Sequence, residues 1–329
     1  MAFPSPSGTF IAIGGLVADI ILPVRRFPIL PQDHQIAQEV MVEPGGLGNC
    51  LVMAARLGMR AMALGWAGTD AVGEDLCRML RTEGVNVDGV LRQPGRTALS
   101  CVLVDDQGHH VFVGGLGVRG PDTLPSAWRD ALTQPAWVMS DGWVLWHSPA
   151  PVTDALDTAR ASGGRVVFDP GPMIHRVPEE LVHHILRITD VLLLTEEEAG
   201  LLVGPGDAPT LTRALHTLGP SVVALKQGAA GALVLAGDEL VRQPAFPARV
   251  RDTTGAGDAF DTAFVAGLAV GLSIPQASAL AAAAGALAVS RLGTGTALPT
   301  RSELEVFLAA RGLDIRLPPP PGTPLTGGG

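Results

Sequence analysis

Beyond Pro121 the chain alternates short apolar, β-branched runs with segments of helical period, and this alternation restricts the fold more than any other feature. Candidate strands cover residues 136–140, 165–168, 191–194, 222–225 and 232–235. Candidate helices cover 152–161, 178–187, 196–202 and 211–218. A strand followed by a helix and another strand reads as a parallel crossover unit. The expected fold class is therefore α/β, a doubly wound, mostly parallel sheet flanked by helices. Two longer helices, 256–272 and 275–291, complete this part, the second rich in alanine.

The first third contributes buried strands at 10–14 and 61–65 and a helix at 46–57 between them. Gly45-Gly46 opens that helix and Gly58 closes it. A further helix is expected at 73–83. Residues 98–105 and 109–113 then alternate with period two around Asp106-Gln107-Gly108, a hairpin signal, and 36–42 reads as a strand of the same kind. These pieces form a small antiparallel β layer apart from the main sheet. The expected folded domain is 8–312, with 33–43 and 96–116 supplying that layer. Residues 313–329, rich in proline and glycine, are expected to be a disordered tail.

The 329 residues are 47% hydrophobic and 17% charged, enough apolar material for a large core. A net charge of −9 leaves no basic stripe to match a nucleic-acid backbone, although a single phosphorylated ligand is compatible with it. The segment MAFPSPSGTF has neither a basic start nor an apolar core, so it does not read as a signal peptide. The apolar stretches are broken by Asp261 or are Ala/Gly-rich, which argues against a membrane span. Cys50, Cys77 and Cys101 are scattered without metal spacing, as expected in a reducing cytoplasm. Among 23 basic residues Lys226 is the only lysine, and asparagine occurs only at Asn49 and Asn86.

Chemistry concentrates in Asp252-Thr253-Thr254-Gly255-Ala256-Gly257-Asp258-Ala259-Phe260, at the start of an apolar helix. A glycine-rich turn opening a helix presents unpaired N–H groups and partial positive charge, a place for an anion. Asp258 inside such a cradle implies that a proton is removed beside a negative group. Other polar clusters fall where ligands of α/β sheets bind, beyond the strand carboxyl ends. They are Asp19, Gly45–Asn49, Thr195–Glu198 and Lys226-Gln227-Gly228. No Gly-x-x-x-x-Gly-Lys-Ser/Thr run exists, which excludes a P-loop. The Gly-x-Gly-x-x-Gly match at 115–120 runs into Pro121 and reads as a return loop from the hairpin.

Taken together these residues resemble the ribokinase-like (PfkB) family of sugar and nucleoside kinases. The stretch 252–260 matches the family's C-terminal signature at every position. Gly45-Gly46-Leu47-Gly48-Asn49, with Ala54-Ala55-Arg56-Leu57-Gly58, is similar to the N-terminal signature. Gly65–Asp70, Gly73, Glu83-Gly84-Val85, Phe168-Asp169-Pro170 and Ala284-Gly285-Ala286 also fit, so the likeness runs from about residue 10 to about 307.

The resemblance implies transfer of the γ-phosphoryl group of ATP to a hydroxymethyl group of a sugar or sugar-like acceptor. The alternatives are a nucleoside acceptor or a non-catalytic ligand-binding relative. Asp258 would be the base, its pKa lowered by the helix start, and the N–H groups of Gly255, Ala256 and Gly257 the anion hole. Asp19, Gly45, Gly46 and Asn49 would hold the acceptor. Thr195, Lys226, Gly228 and Thr253 would face ATP, and Glu198 would help organise Mg2+. Thr195 departs from the family's Asn-x-x-Glu motif. A monovalent cation such as K+ is implied near Asp252 and 293–296, and the β layer would be a lid that excludes water. Apolar lid positions such as Val111 and Val113 suit a homodimer contact.

Blander readings exist for most of these residues. Asp19 could be a turn residue, Asn49 a helix first-turn residue, and Lys226 a solvated strand end. Glu196 and Glu197 could simply complement a helix dipole. Asp261 reads as a helix-surface acid, and His109-His110 and His183-His184 as surface residues rather than a metal site.

Overall fold

A computed structural model describes residues 8–317. Among the described residues thirteen strands form, numbered here in chain order. The first four are β1 (Thr9–Gly15), β2 (Val17–Pro23), β3 (Met41–Gly45) and β4 (Arg60–Gly68). Next come β5 (Asn86–Gln93), β6 (Ala98–Val104), β7 (His110–Gly115), β8 (Trp137–Asp141) and β9 (Arg165–Asp169). The last are β10 (Val191–Thr195), β11 (Val222–Lys226), β12 (Ala232–Ala236) and β13 (Glu239–Gln243). Nine of them make one sheet in the order β13-β12-β11-β10-β9-β8-β1-β4-β5, parallel from β5 through β11, with two antiparallel strands at the far edge. The expected α/β architecture is thus what forms.

The central strands are apolar on both faces because helices cover both. Every residue of 191–194 and 222–225 is buried. The edge strands β5 and β13, which sequence reading passed over, are mixed in polarity and half exposed. With only one neighbouring strand each, they lack a central strand's continuous apolar run. The two long helices form at Ala256–Ala269 and Ile274–Ala288 and pack on one another, their small residues allowing close approach. Both are buried nearly all round, so they carry no amphipathic stripe.

From β1 the sheet grows outward through β4 and β5 on one side and through β8 to β13 on the other. This reversal of strand order opens a crevice at the carboxyl ends of β1 and β8. Over it lies the second sheet, β3-β2-β6-β7. Its β2–β3 and β6–β7 pairs are antiparallel, and β2–β6 runs parallel.

Two boundaries need correction. The strand expected at 36–42 forms instead at Met41–Gly45, because only there does the chain reach β2, and Ile36 is left 85% exposed. The tail expected from 313 falls mostly outside the described residues, but its beginning is structured. Ile315 and Leu317 are buried in the main core, so the fold extends past 312.

Candidate active site

Four successive parallel strands end on a polar residue: Asp141 on β8, Asp169 on β9, Thr195 on β10 and Lys226 on β11. A buried strand must be apolar along its length, so its first freedom to carry a polar side chain comes where it leaves the sheet. Facing this row is the turn at 252–258. Gly255 adopts φ 72°, a left-handed conformation that glycine takes without strain, and caps the helix that follows. Asp252 fixes the turn by accepting from Thr254 N–H at 2.9 Å and Thr254 Oγ1 at 2.7 Å. Its other oxygen accepts from Gly293 N–H at 3.0 Å. The Ala256 N–H makes a long bond to the Thr253 carbonyl at 3.3 Å, while those of Gly255 and Gly257 have no partner among the described residues.

The turn has two sides. Gly255, Ala256 and Gly257 line a cleft of about 1090 Å³ together with Asp169, Thr195, Glu198, Lys226, Gly228 and Thr253. Its far wall is apolar, formed by Phe246, Val250, Ala282, Ala286 and Val289. Asp258 points the other way, its Oδ2 accepting from Asn49 Nδ2 at 2.7 Å. Asn49 in turn accepts from Gly295 N–H at 2.7 Å. Its amide is therefore held at both ends and fixes the orientation of the Asp258 carboxylate.

Asp19 proves to be no turn residue. It lies inside β2, 5% exposed, with Oδ2 accepting from Thr294 Oγ1 at 3.3 Å. Gly45 makes room for it, since a Cβ there would sit 2.3 Å from the Asp19 carboxyl carbon. Gly46, at φ 51°, opens helix Leu47–Arg56 and turns the chain so that Asn49 faces the crevice. Residues separated by more than two hundred positions thus meet on one side of the 252–258 turn.

The electrostatics correct one expectation. The helix start was expected to lower the Asp258 pKa, yet it is raised to about 6. Burial is the main cause, with Asp169 adding to it, and together they exceed the opposing effects of the Asn49 hydrogen bond and Lys226. Burial, followed by the charge of Asp258, raises Asp19 to about 7. Asp141 is also raised to about 7 by burial, against the hydrogen bond it accepts from Val144 N–H. Sequence reading missed Asp141. Its signal was its place at the end of an apolar strand, beside the crevice and followed by Trp143 and Trp146, whose rings meet edge to face at 5.5 Å.

On the cleft side, Thr195 caps helix Glu196–Val203. Its Oγ1 accepts from Glu198 N–H at 3.2 Å, and Glu198 Oε2 accepts from Thr195 N–H at 2.8 Å. Asparagine and threonine are both good helix caps, so the departure at 195 preserves the local frame. Thr195→Val is expected to cost about 1 kcal/mol of stability through loss of the cap, measured by urea unfolding. The Glu198 pKa is raised, first by burial and then by Asp169. Its second oxygen stays outside the capping box, and hard oxygen donors of this kind suit Mg2+. No group of three or more acidic, His or Cys side chains able to hold a metal occurs among the described residues.

Two blander readings fail here. Lys226 is no solvated strand end: Nζ donates to Asp169 at 2.9 Å and to Asp261 at 2.8 Å. Asp261 is no surface acid, being fully buried. His110, at the start of β7, is exposed as expected, but it borders the cleft and lies 3.0 Å from Thr253 Oγ1. His109 also stays at the surface, paired with Asp105, and His184 pairs with Asp157.

Comparison with known proteins gives matches over most of the chain. The profile of the pfkB family carbohydrate kinases matches residues 9–301. Ribokinase of Bacillus subtilis is 31% identical over 304 residues, covering 90% of this chain and 98% of its own. Fructokinase of Klebsiella pneumoniae is 32% identical over 287 residues, covering 80% and 91%. The crystal structure of ribokinase from Thermotoga maritima superposes with a TM-score of 0.78 at 27% identity, covering 92% of this chain and 99% of that one.

Proposed function

This chain belongs to the pfkB family of carbohydrate kinases, and from that premise we propose that it transfers the γ-phosphoryl group of ATP to a hydroxymethyl group of a small sugar. The observation that carries this reading is the two-sided turn: Gly255 to Gly257 line the cleft, the N–H groups of Gly255 and Gly257 have no partner among the described residues, and Asp258 faces Asn49 on the opposite side. A triphosphate in the cleft would meet donors, and a hydroxyl in the crevice would meet a base. The two partners have opposite electrostatic needs and are served by one helix start.

Asp19, Asn49, Gly45 and Gly46 would hold and orient the acceptor, their carboxylate and amide suiting vicinal hydroxyls. Asp258 would take the hydroxyl proton. Lys226, Thr195, Gly228 and Thr253 would orient the nucleotide, whose base would rest on the apolar wall. Glu198 would help hold Mg2+, which supplies neutralisation of phosphate charge when bound. The sheet carrying Asp19 would exclude water from the crevice. The same reading includes a K+-like ion near Asp252 and a homodimer through the exposed Val111, Phe112 and Val113.

A sugar acceptor is favoured over a nucleoside because relatives above 30% identity include a ribokinase and a fructokinase. An ADP-release assay over a panel of pentoses, hexoses, sugar acids and nucleosides is expected to find turnover with a neutral sugar. Absence of turnover on every acceptor, with ligand binding retained, would sink the proposal.

A further inference from the structure

Two carboxyl groups, one buried and one at the edge of the cleft, have no part in the roles assigned so far. Asp169, ending β9, and Asp261, in helix Ala256–Ala269 one turn past the base, converge on the Lys226 ammonium at 2.9 Å and 2.8 Å. Asp261 is fully buried, and its Oδ1 has no hydrogen-bond partner. A Cβ built on Gly257 would lie 3.5 Å from Nζ, which places the ammonium directly against the anion-binding turn.

The charges do not balance. Two carboxylates on one ammonium leave a buried negative charge beside Asp258 and beside the place where triphosphate must sit. An uncompensated buried charge costs several kcal/mol, and a proton on one carboxyl removes it. Asp261 is the deeper of the two, and burial, above every other influence, pushes its pKa well up. Burial also opposes the charge of Asp169, but Lys226 and the hydrogen bond from Gly171 N–H outweigh it and hold that carboxyl low. Burial opposes the Lys226 charge as well, and Asp169 and Asp261 overcome it. The groups acting on Asp261 from neighbouring elements are Lys226 on β11 and Asp169 on β9; Asp261 in turn helps push up the Cys50 thiol on helix Leu47–Arg56, and Glu198 acts on Lys226 from helix Glu196–Val203.

We propose that Asp169 and Asp261 are positioning residues for Lys226, a two-point cradle in which Asp261 stays a neutral acid and the ammonium is fixed for the transferring phosphoryl group. A neutral acid holds the ammonium by a hydrogen bond without adding a second full counter-charge, so the positive charge remains available to the phosphate. The inference rests on the phosphotransfer reading above.

The test compares Asp261→Asn, which copies the neutral acid, with Asp261→Ala, which removes one arm. Asp261→Asn is expected to keep ATP affinity, measured by titration calorimetry, and kcat within about tenfold of wild type, the scale of one exchanged neutral hydrogen bond. Asp261→Ala is expected to lower kcat roughly 10²-fold, the scale of a misplaced catalytic group, while KM for the acceptor stays unchanged. The infrared difference between wild type and Asp261→Asn at neutral pH is expected to contain the carbonyl band of a protonated carboxylic acid. Asp169→Asn leaves Asp261 as the sole counter-ion, so Asp261 ionises and the band disappears. The cradle is overturned if the Asn variant falls as far as the Ala variant, if both equal wild type, or if the wild type lacks the acid band. Should Asp261→Ala not fold, the Asn variant and the infrared band decide. Calorimetry and infrared need no acceptor, so a protein that phosphorylates nothing would refute the phosphotransfer reading while the cradle is still judged.

Discussion

Replacing Asp258 by asparagine is expected to lower kcat by roughly 10² to 10⁴-fold, the contribution of a positioned general base. KM for ATP is expected to stay near its wild-type value, because the cleft proposed for the nucleotide is lined by Gly255 to Gly257 and not by Asp258. The pH profile of kcat/KM carries the same information. Asp258 accepts a proton only when ionised, and its pKa is raised to about 6. Activity should therefore be full above that value and fall as the pH drops through it. Asn49→Leu removes the hydrogen bond that favours the ionised form, so its acid limb should move to higher pH. An Asp258→Asn enzyme as active as wild type would refute the base assignment, and an acid limb far below pH 6 would refute the burial argument.

Gly45→Ala is expected to have the second large effect, confined to the acceptor side. The added Cβ would come within 2.3 Å of the Asp19 carboxyl carbon and Oδ1 and 2.4 Å of Oδ2. Asp19 cannot simply yield. Its strand is paired on both sides, opposite Glu43 on β3 and Ser100 on β6. The carboxylate must turn away from the crevice, and kcat/KM for the acceptor should fall roughly 10²-fold, as for other misplaced substrate-orienting groups. Overpacking should cost about 1–3 kcal/mol of stability. KM for ATP serves as the internal control, and an equal loss on both substrates would indicate general unfolding instead.

The parallel sheet was legible in the sequence because central strands must be apolar on both faces and helices must separate them. The edge strands β5 and β13 were not, because half exposure permits polar residues and erases the pattern. The site divided along similar lines. The 252–258 turn and the Gly45–Asn49 helix start could be read locally, since a φ of 72° at Gly255 and of 51° at Gly46 makes demands on the residue itself. Asp141, Asp261 and His110 could not, since their importance comes from what lies opposite them.

Residue chemistry and spacing alone determined the α/β class and singled out the glycine-rich turn and the candidate base, each a property of a few adjacent residues. The tertiary structure alone decided that Asp258 has a raised rather than a lowered pKa and that Asn49 orients it. It also decided that the chain's only lysine is held between two acids, of which Asp261 is buried. Burial and partner geometry depend on segments hundreds of residues apart, and no local pattern records how far water is excluded when those segments meet.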